Sequence, residues 1–213
     1  MANQTGLWGC SAADRNKGPI LDVLEEVLPE RGLVLEIASG AGRHVAYFAA
    51  ALAGPVWQPS EPDAELRRMI AAAAARMPNV REPLDLDVLR QPWPISAADA
   101  IVNINMIHVT PWDATVALMG GAAAVLPDGG VLYMYGPYRR FGGHTAPSNA
   151  AFHERLRMQD GRWGLRDMED VERLAGEAGL VLERRVAMPA NNFSLVFRRG
   201  RHRESLTAKR QAA

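Results

Sequence analysis

One cysteine, Cys10, among 213 residues rules out an intrachain disulfide and a cysteine-based zinc cluster. Net charge is missing as well. Lys and Arg number 24, as do Asp and Glu, so no global field draws the chain to nucleic acid or to an acidic membrane surface. No apolar run is long enough to span a bilayer, and residues 1–7 lack the basic-then-apolar order of an export signal; the expected location is cytoplasmic. No two histidines stand three or four residues apart, so a helical metal motif is absent and no metal is expected. Gly-x-Ser-x-Gly is also absent, which removes the α/β-hydrolase reading. With 48% hydrophobic residues and no Pro/Gly/Ser-rich linker, one well-buried domain is expected.

What is present is an apolar strand at 33–37 running into a small-residue turn and a helix start at His44. Gly40 and Gly42 let backbone approach a ligand closely, and the helix start offers unpaired N–H groups. A dinucleotide fingerprint would place a third glycine where Val45 stands, and the strand end carries a carboxylate, Glu36. That carboxylate would repel a pyrophosphate and attract the amino group of an amino-acid cofactor, S-adenosylmethionine.

Strands are expected at 33–37, 56–59, 80–84, 99–104, 131–135, 180–186 and 193–197, the earlier ones alternating with helices at 14–28, 44–52, 66–77 and 114–126. This alternation predicts a Rossmann-like doubly wound α/β sheet of seven strands, mostly parallel, with helices on both faces. Only six residues separate the last two strands, enough for an antiparallel hairpin and too few for a parallel crossover. The glycine-bearing stretch 136–148 reads as a long loop and candidate lid. Ser148 is placed to cap a short helix from Asn149, and Asp167 to cap the helix carrying Val171. The expected organisation is an irregular arm at 1–13, a domain at 14–199, and a basic, disordered tail at 200–213.

His108 follows the fourth strand, and an imidazole there would serve as general base, or simply hold its loop by hydrogen bonds. His44 reads as a helix-start residue near the cofactor carboxylate. Arg15 and Lys17 are candidate cofactor-binding residues that either clamp a carboxylate from cofactor or substrate or form a solvated face. Trp112, Tyr135, Tyr138, Phe141 and Trp163 are candidate pocket walls or ordinary core. His144, Thr145, Ser148, Asn149, Asn191 and Asn192 form a polar set suited to orienting a substrate or to shaping turns.

Together, Glu36-x-Ala38-x-Gly40-x-Gly42, Glu61, the Asn-rich end of the fourth strand, Leu126-Pro127-Asp128-Gly129-Gly130 and the closing hairpin resemble class I S-adenosylmethionine-dependent methyltransferases. Further stretches resemble the methyltransferase-like 26 group: Arg15-Asn16-Lys17, Ser39-Gly40-Ala41-Gly42-Arg43-His44, Trp57-Gln58-Pro59-Ser60, Asn105-Met106-Ile107-His108, Trp163-Gly164-x-Arg166-Asp167 and Met188-Pro189-Ala190-Asn191-Asn192. The resemblance implies a last strand that is antiparallel. It also implies a cofactor whose methionine end is lined by Glu36, Ala38, Ser39, Gly40 and Gly42, whose ribose meets Glu61, and whose adenine lies near Asp85 and Leu86. Asn103, Asn105 and Met106 would touch it from the fourth strand, with Asn16 and His44 alongside. Ala38 stands where these enzymes commonly have a glycine. The implied activity is methyl transfer to a small-molecule acceptor by a monomer or homodimer. An RNA- or protein-modifying enzyme and a catalytically silent cofactor-binding scaffold are the alternatives.

Overall fold

In a computed structural model, residues 5–201 are described, with side chains from Ala13 onward. Six strands form the main sheet: β1 (Leu33–Ile37), β2 (Val56–Pro59), β3 (Ala100–Ile104), β4 (Val131–Gly136), β7 (Leu180–Met188) and β8 (Asn192–Arg199), in the order β2-β1-β3-β4-β8-β7. The first four are parallel neighbours, while β8 pairs antiparallel with both β4 and β7. The intervening helices are α1 (Thr5–Val27), α2 (Arg43–Ala51), α3 (Ala64–Ala74), α4 (Trp112–Val125), α5 (Pro147–Gln159) and α6 (Met168–Glu177). A small hairpin, β5 (Arg139–Arg140) with β6 (Gly143–His144), follows β4.

Successive strand residues face opposite sides of the sheet, and this divides the core in two. Val34, Ala100, Val102, Val131, Tyr133 and Tyr135 pack with Ile20 and Leu24 of α1, Phe48 of α2 and Ile70 of α3. Leu35, Ile37, Ile101, Leu132 and Met134 pack with Leu118 of α4 and Val171 of α6. The same alternation puts Glu36 on the α1–α3 side, together with Tyr135, and Asn103 on the α4–α6 side.

The sheet has six strands where seven were expected. The missing one, residues 80–84, lies beside β2 but touches it through two isolated bridges, Trp57 with Val80 and Ser60 with Leu84. Two prolines explain the break. Pro59 and Pro83 have no N–H for a ladder, and between the bridges the Gln58 side chain donates instead to the Glu82 carbonyl at 2.7 Å.

Four further expectations change. The backbone is helical from Thr5, so nine residues of the expected irregular arm extend α1; residues 1–4 and 202–213, including most of the expected tail, lie outside the described residues. The expected lid is an ordered hairpin pinned to the start of α6. Arg139 pairs with Asp167 at 3.3 Å, Arg140 with Glu169 at 2.7 Å, and Glu169 also accepts the Phe141 N–H at 3.0 Å. Asp167 is therefore the boundary residue of α6 without capping it by its side chain, which turns to Arg139 and the Gly142 N–H. Ser148 is likewise not a cap: α5 begins with Pro147 at its first turn, a position where the missing N–H costs nothing, and its boundary residue is Ala146.

Candidate active site

At the carboxyl ends of β1 and β2, three contacts shape the turn. Ser60 Oγ donates to the Glu36 carbonyl at 2.7 Å, the Ser60 N–H donates to Ser39 Oγ at 3.2 Å, and Glu61 Oε2 accepts the Gly40 N–H at 3.0 Å. The chain then passes through three left-handed residues, Ala38 (φ 57°), Gly40 (φ 56°) and Gly42 (φ 76°). Glycine is required at Gly42, where a Cβ would lie 3.1 Å from the Ile70 Cα, whereas nothing lies within 4 Å of a Cβ at Gly40. The open side of the turn is thus at Gly40.

Beneath it, Glu36 is 2% exposed and its Oε2 has no hydrogen-bond partner. Burial pushes its pKa up to about 8, Ser39 as a hydrogen-bond partner pulls the other way, and the neighbouring Glu61 carboxylate adds to the rise. Burial also raises Glu61, opposed by the N–H groups of Asp63 and Gly40. An orphaned carboxylate oxygen under a turn of free backbone suits a ligand ammonium group and disfavours a diphosphate. The donor set therefore fits the amino-acid end of S-adenosylmethionine.

Helix α1 closes this end of the sheet. Asn16, 8% exposed, meets His44 through a 2.8 Å contact between its Oδ1 and the ring Nε2. Burial, and after it Lys17, lower the His44 pKa to about 4, with Asp14 opposing them. Lys17 is bound to Asp14 at 2.9 Å and lies 5.0 Å from the Tyr47 ring centroid. Arg15 is exposed and has no ion pair among the described residues.

Further along the sheet edge, Asn105 (φ 63°) donates its N–H to the Tyr135 carbonyl at 2.8 Å, tying the end of β3 to β4. Asn103, 1% exposed, donates to the Ile37 carbonyl at 3.4 Å, and Met106 is buried. Leu86 is buried in the α4-side core, and the half-exposed Asp85 is held by Arg67 at 3.2 Å and Arg90 at 2.9 Å.

His108 lies in the short turn after β3. It is 1% exposed, its Nδ1 accepts the Arg166 N–H at 3.4 Å, and its ring meets Tyr138 edge-on with centroids 5.1 Å apart. A Cβ on Gly136 would lie 2.3 Å from Nε2, so the ring occupies the space that glycine leaves. Burial, with Arg166 nearby, lowers its pKa to about 3. The ring is enclosed, on the opposite side of the sheet from Glu36.

The polar set is divided. Asn149, 5% exposed, donates to Thr145 Oγ1 at 2.9 Å and to the Asn191 carbonyl at 3.0 Å. Asn192 is spent on the carbonyls of Pro189 and Ala190, Ser148 is exposed, and His144 packs on His153 at 4.9 Å between ring centroids. Trp112 lies under the Arg166 guanidinium, while Tyr138 is fully buried with an unpartnered hydroxyl. Two surface grooves, one beside Trp93 and Gly121 and one beside Leu28 and Gly54, contain none of these residues.

Two structurally important residues carry no individual signal in the sequence: Ser60, which latches β1 to β2, and Arg166. The latter reaches the Ile107 carbonyl at 2.9 Å and the Thr110 carbonyl at 2.6 Å, fixing the turn after β3. A lone hydroxyl or arginine carries no periodic signal that would single it out.

Among solved structures, the fold is similar to an O-methyltransferase family 2 protein from Planctomyces limnophilus in complex with apigenin, at 18% identity and TM-score 0.76, over 93% of this chain and 62% of that one. It is similar to an O-methyltransferase family protein from Burkholderia thailandensis at 19% identity and TM-score 0.75, over 90% and 58%. Human N-acetylserotonin methyltransferase, solved in complex with SAM, matches at 14% identity and TM-score 0.74, over 89% and 53%. The chain thus spans little more than half the length of these three proteins, with which it shares the Rossmann-like methyltransferase fold. Its family is shown by a match over residues 9–199: the chain belongs to the family described as Protein of unknown function (DUF938).

Proposed function

We propose that the protein is an S-adenosylmethionine-dependent methyltransferase acting on a small-molecule acceptor, nearest in kind to the methyltransferase-like 26 group. The observation that carries this reading is the buried Glu36 carboxylate, with Oε2 unpartnered beneath the turn at Gly40. In this reading Glu36 takes the ammonium group, and the turn from Ala38 to Gly42 receives the methionine end. Glu61 faces the ribose hydroxyls, and the segment at Asp85 and Leu86 borders the adenine. Asn16, Lys17 and His44 close the site from α1 and α2, and Asn103, Asn105 and Met106 border it from β3.

The bound cofactor supplies an electrophilic methyl group on a sulfonium. The protein's own contribution is alignment and exclusion of water. Holding two reacting groups in line contributes about 7–11 kcal/mol, and the rigid tie between Asn105 and Tyr135 keeps the β3 and β4 ends in one geometry. Tyr135, Trp112 and the cluster of Thr145, Asn149 and Asn191 form the acceptor wall, with His108 and Tyr138 as its buried support.

Calorimetric titration with S-adenosylmethionine, S-adenosylhomocysteine, NAD and FAD tests the reading. Binding of the two adenosylated amino acids alone, followed by S-adenosylhomocysteine release with a mixed acceptor pool, supports it. Binding of a dinucleotide in their place contradicts it.

A further inference from the structure

Between α5 and α6, residues 164–166 form a strap whose three successive backbone N–H groups all end on two histidines. The Gly164 N–H donates to the His108 carbonyl at 2.9 Å and the Arg166 N–H to His108 Nδ1 at 3.4 Å. The Leu165 N–H between them donates to Nδ1 of His153, on α5, at 3.1 Å. The hairpin grips the strap as well, the Arg139 N–H donating to the Arg166 carbonyl at 2.9 Å. From the strap, the Arg166 side chain reaches the Ile107 and Thr110 carbonyls and covers Trp112. The turn after β3 is therefore held in place by a segment that His153 holds in turn.

A backbone N–H can only donate, so each Nδ1 that it meets lacks a proton, and the neutral ring carries its proton on Nε2. The two rings differ in their access to protons. His108 is 1% exposed, whereas His153 is half-buried. The His153 ring lies against Gly164, where a Cβ would come within 2.9 Å of Cε1, and against the exposed His144 of β6, with centroids 4.9 Å apart. Its other charged neighbours are Arg139 of β5 and Glu154 and Arg157 of α5. Burial leads in lowering its pKa, His144, Arg139 and Arg157 add to the fall, and Glu154 opposes it. Protonation would fill Nδ1 and leave two donors facing each other, with the Leu165 N–H, on a residue 3% exposed, stripped of its acceptor.

We propose that His153 is a positioning residue that clamps the strap only while its imidazole is neutral, so that acid releases residues 164–166 and, through Arg166, loosens the turn after β3. The clamp itself stands apart from the methyltransferase reading. Its consequence for turnover rests on that reading, in which Trp112 belongs to the acceptor wall. The clamped state favours the unprotonated ring, so clamping is complete above the ordinary histidine value near 6.5 and is lost as pH falls through the lowered folded value. A latch that opens on one proton opens about tenfold more often per pH unit within that window.

Amide exchange on the full chain, corrected for intrinsic rates and followed through that window, tests the clamp. Leu165 protection should be constant at the alkaline end and fall about tenfold per pH unit at the acid end, with residues 164, 166 and 106–110 following it. His153→Asn places an acceptor oxygen near the position of Nδ1 and takes up no proton, so protection should persist and become flat with pH. His153→Leu should lose Leu165 protection at every pH, and His144→Gln, which removes an opposing cation, should move the fall to higher pH. Imidazole nitrogen shifts should show an unprotonated Nδ1 on His153 at neutral pH. Wild-type protection that ignores pH, a His153→Asn protein that keeps the wild-type pH dependence, or a proton on Nδ1 at neutral pH overturns the proposal. In the turnover arm, S-adenosylhomocysteine release with a mixed acceptor pool should fall on acidification more steeply in the wild type than in His153→Asn, at equal cofactor affinity. Identical pH profiles would overturn the consequence for turnover. Failure to bind the cofactor at any pH would strike the methyltransferase reading instead, and the exchange measurements would still decide the clamp.

Discussion

Glu61 Oε2 accepts the N–H of Gly40 at 3.0 Å, so the acid after β2 braces the turn after β1. Its other oxygen accepts the Asp63 N–H at 3.3 Å, just ahead of α3. Glu61→Ala leaves a part-buried N–H unpaired, a loss of about 1–3 kcal/mol. Urea denaturation is expected to show that loss, and calorimetry a weaker cofactor complex. Glu61→Gln, which keeps one acceptor oxygen, should recover most of the stability and less of the affinity.

Ala38 and Gly42 share a left-handed backbone with opposite side-chain consequences. A non-glycine residue at φ 57° carries about 1–2 kcal/mol of strain, partly offset by the roughly 0.4–1 kcal/mol that glycine loses through unfolded-state entropy. Ala38→Gly should therefore stabilise by about 0.5–1 kcal/mol. At Gly42 the same φ penalty combines with a Cβ 3.1 Å from Ile70 Cα, so Gly42→Ala should destabilise by about 2–4 kcal/mol. Paired denaturation curves read both signs.

Stability should depend on pH in a way that isolates Glu36. A carboxyl whose folded pKa is raised to about 8 binds its proton more tightly in the native state. Its contribution is full below the unfolded value near 4.3 and is lost as pH rises towards 8. Glu61, also raised, acts in the same direction. His44 and His108, lowered to about 4 and about 3, act oppositely, adding stability as pH rises to the unfolded histidine value near 6.5. Above about 6.5 the histidine contributions are complete and the carboxyl contributions continue. The melting temperature of the free protein should then fall from pH 6.5 to 8, and Glu36→Gln should flatten most of that fall. A Glu36→Gln protein with an undiminished fall would contradict the assignment.

Arg166 anchors the turn after β3 through the Ile107 and Thr110 carbonyls. Arg166→Ala removes both charge-assisted contacts and the cover over Trp112, and should destabilise by about 2–4 kcal/mol. Lysine cannot span two carbonyls with a planar fork, so Arg166→Lys should recover less than half. Denaturation with amide exchange at residues 106–110 measures both effects.

The sequence was most readable where a chemical need imposes a residue type. The glycine turn, the acid at the end of β1, the alternation of strands and helices, and the antiparallel return of β8 all follow from side-chain period or connection length. The expected strand at 80–84 is not a full sheet member because Pro59 and Pro83 break the ladder, an effect that appears only once the two segments lie side by side. The lid was misjudged for a similar reason. Its glycines signal a loop, but Asp167 and Glu169, which order it, come more than twenty residues later. His108 stands at the strand end in the sequence, but its burial depends on Gly136, Tyr138 and Arg166, two distant stretches of chain meeting in space.

The most direct test of the account is titration of S-adenosylmethionine into the wild type and Glu36→Gln at pH 7, in two buffers of different ionisation enthalpy. The account predicts tight wild-type binding with close to one proton released, because the buried carboxyl must ionise to pair with the ammonium group, and a loss of both affinity and proton release in Glu36→Gln. Equal affinity for the two proteins, or binding of a dinucleotide in place of S-adenosylmethionine, would contradict it.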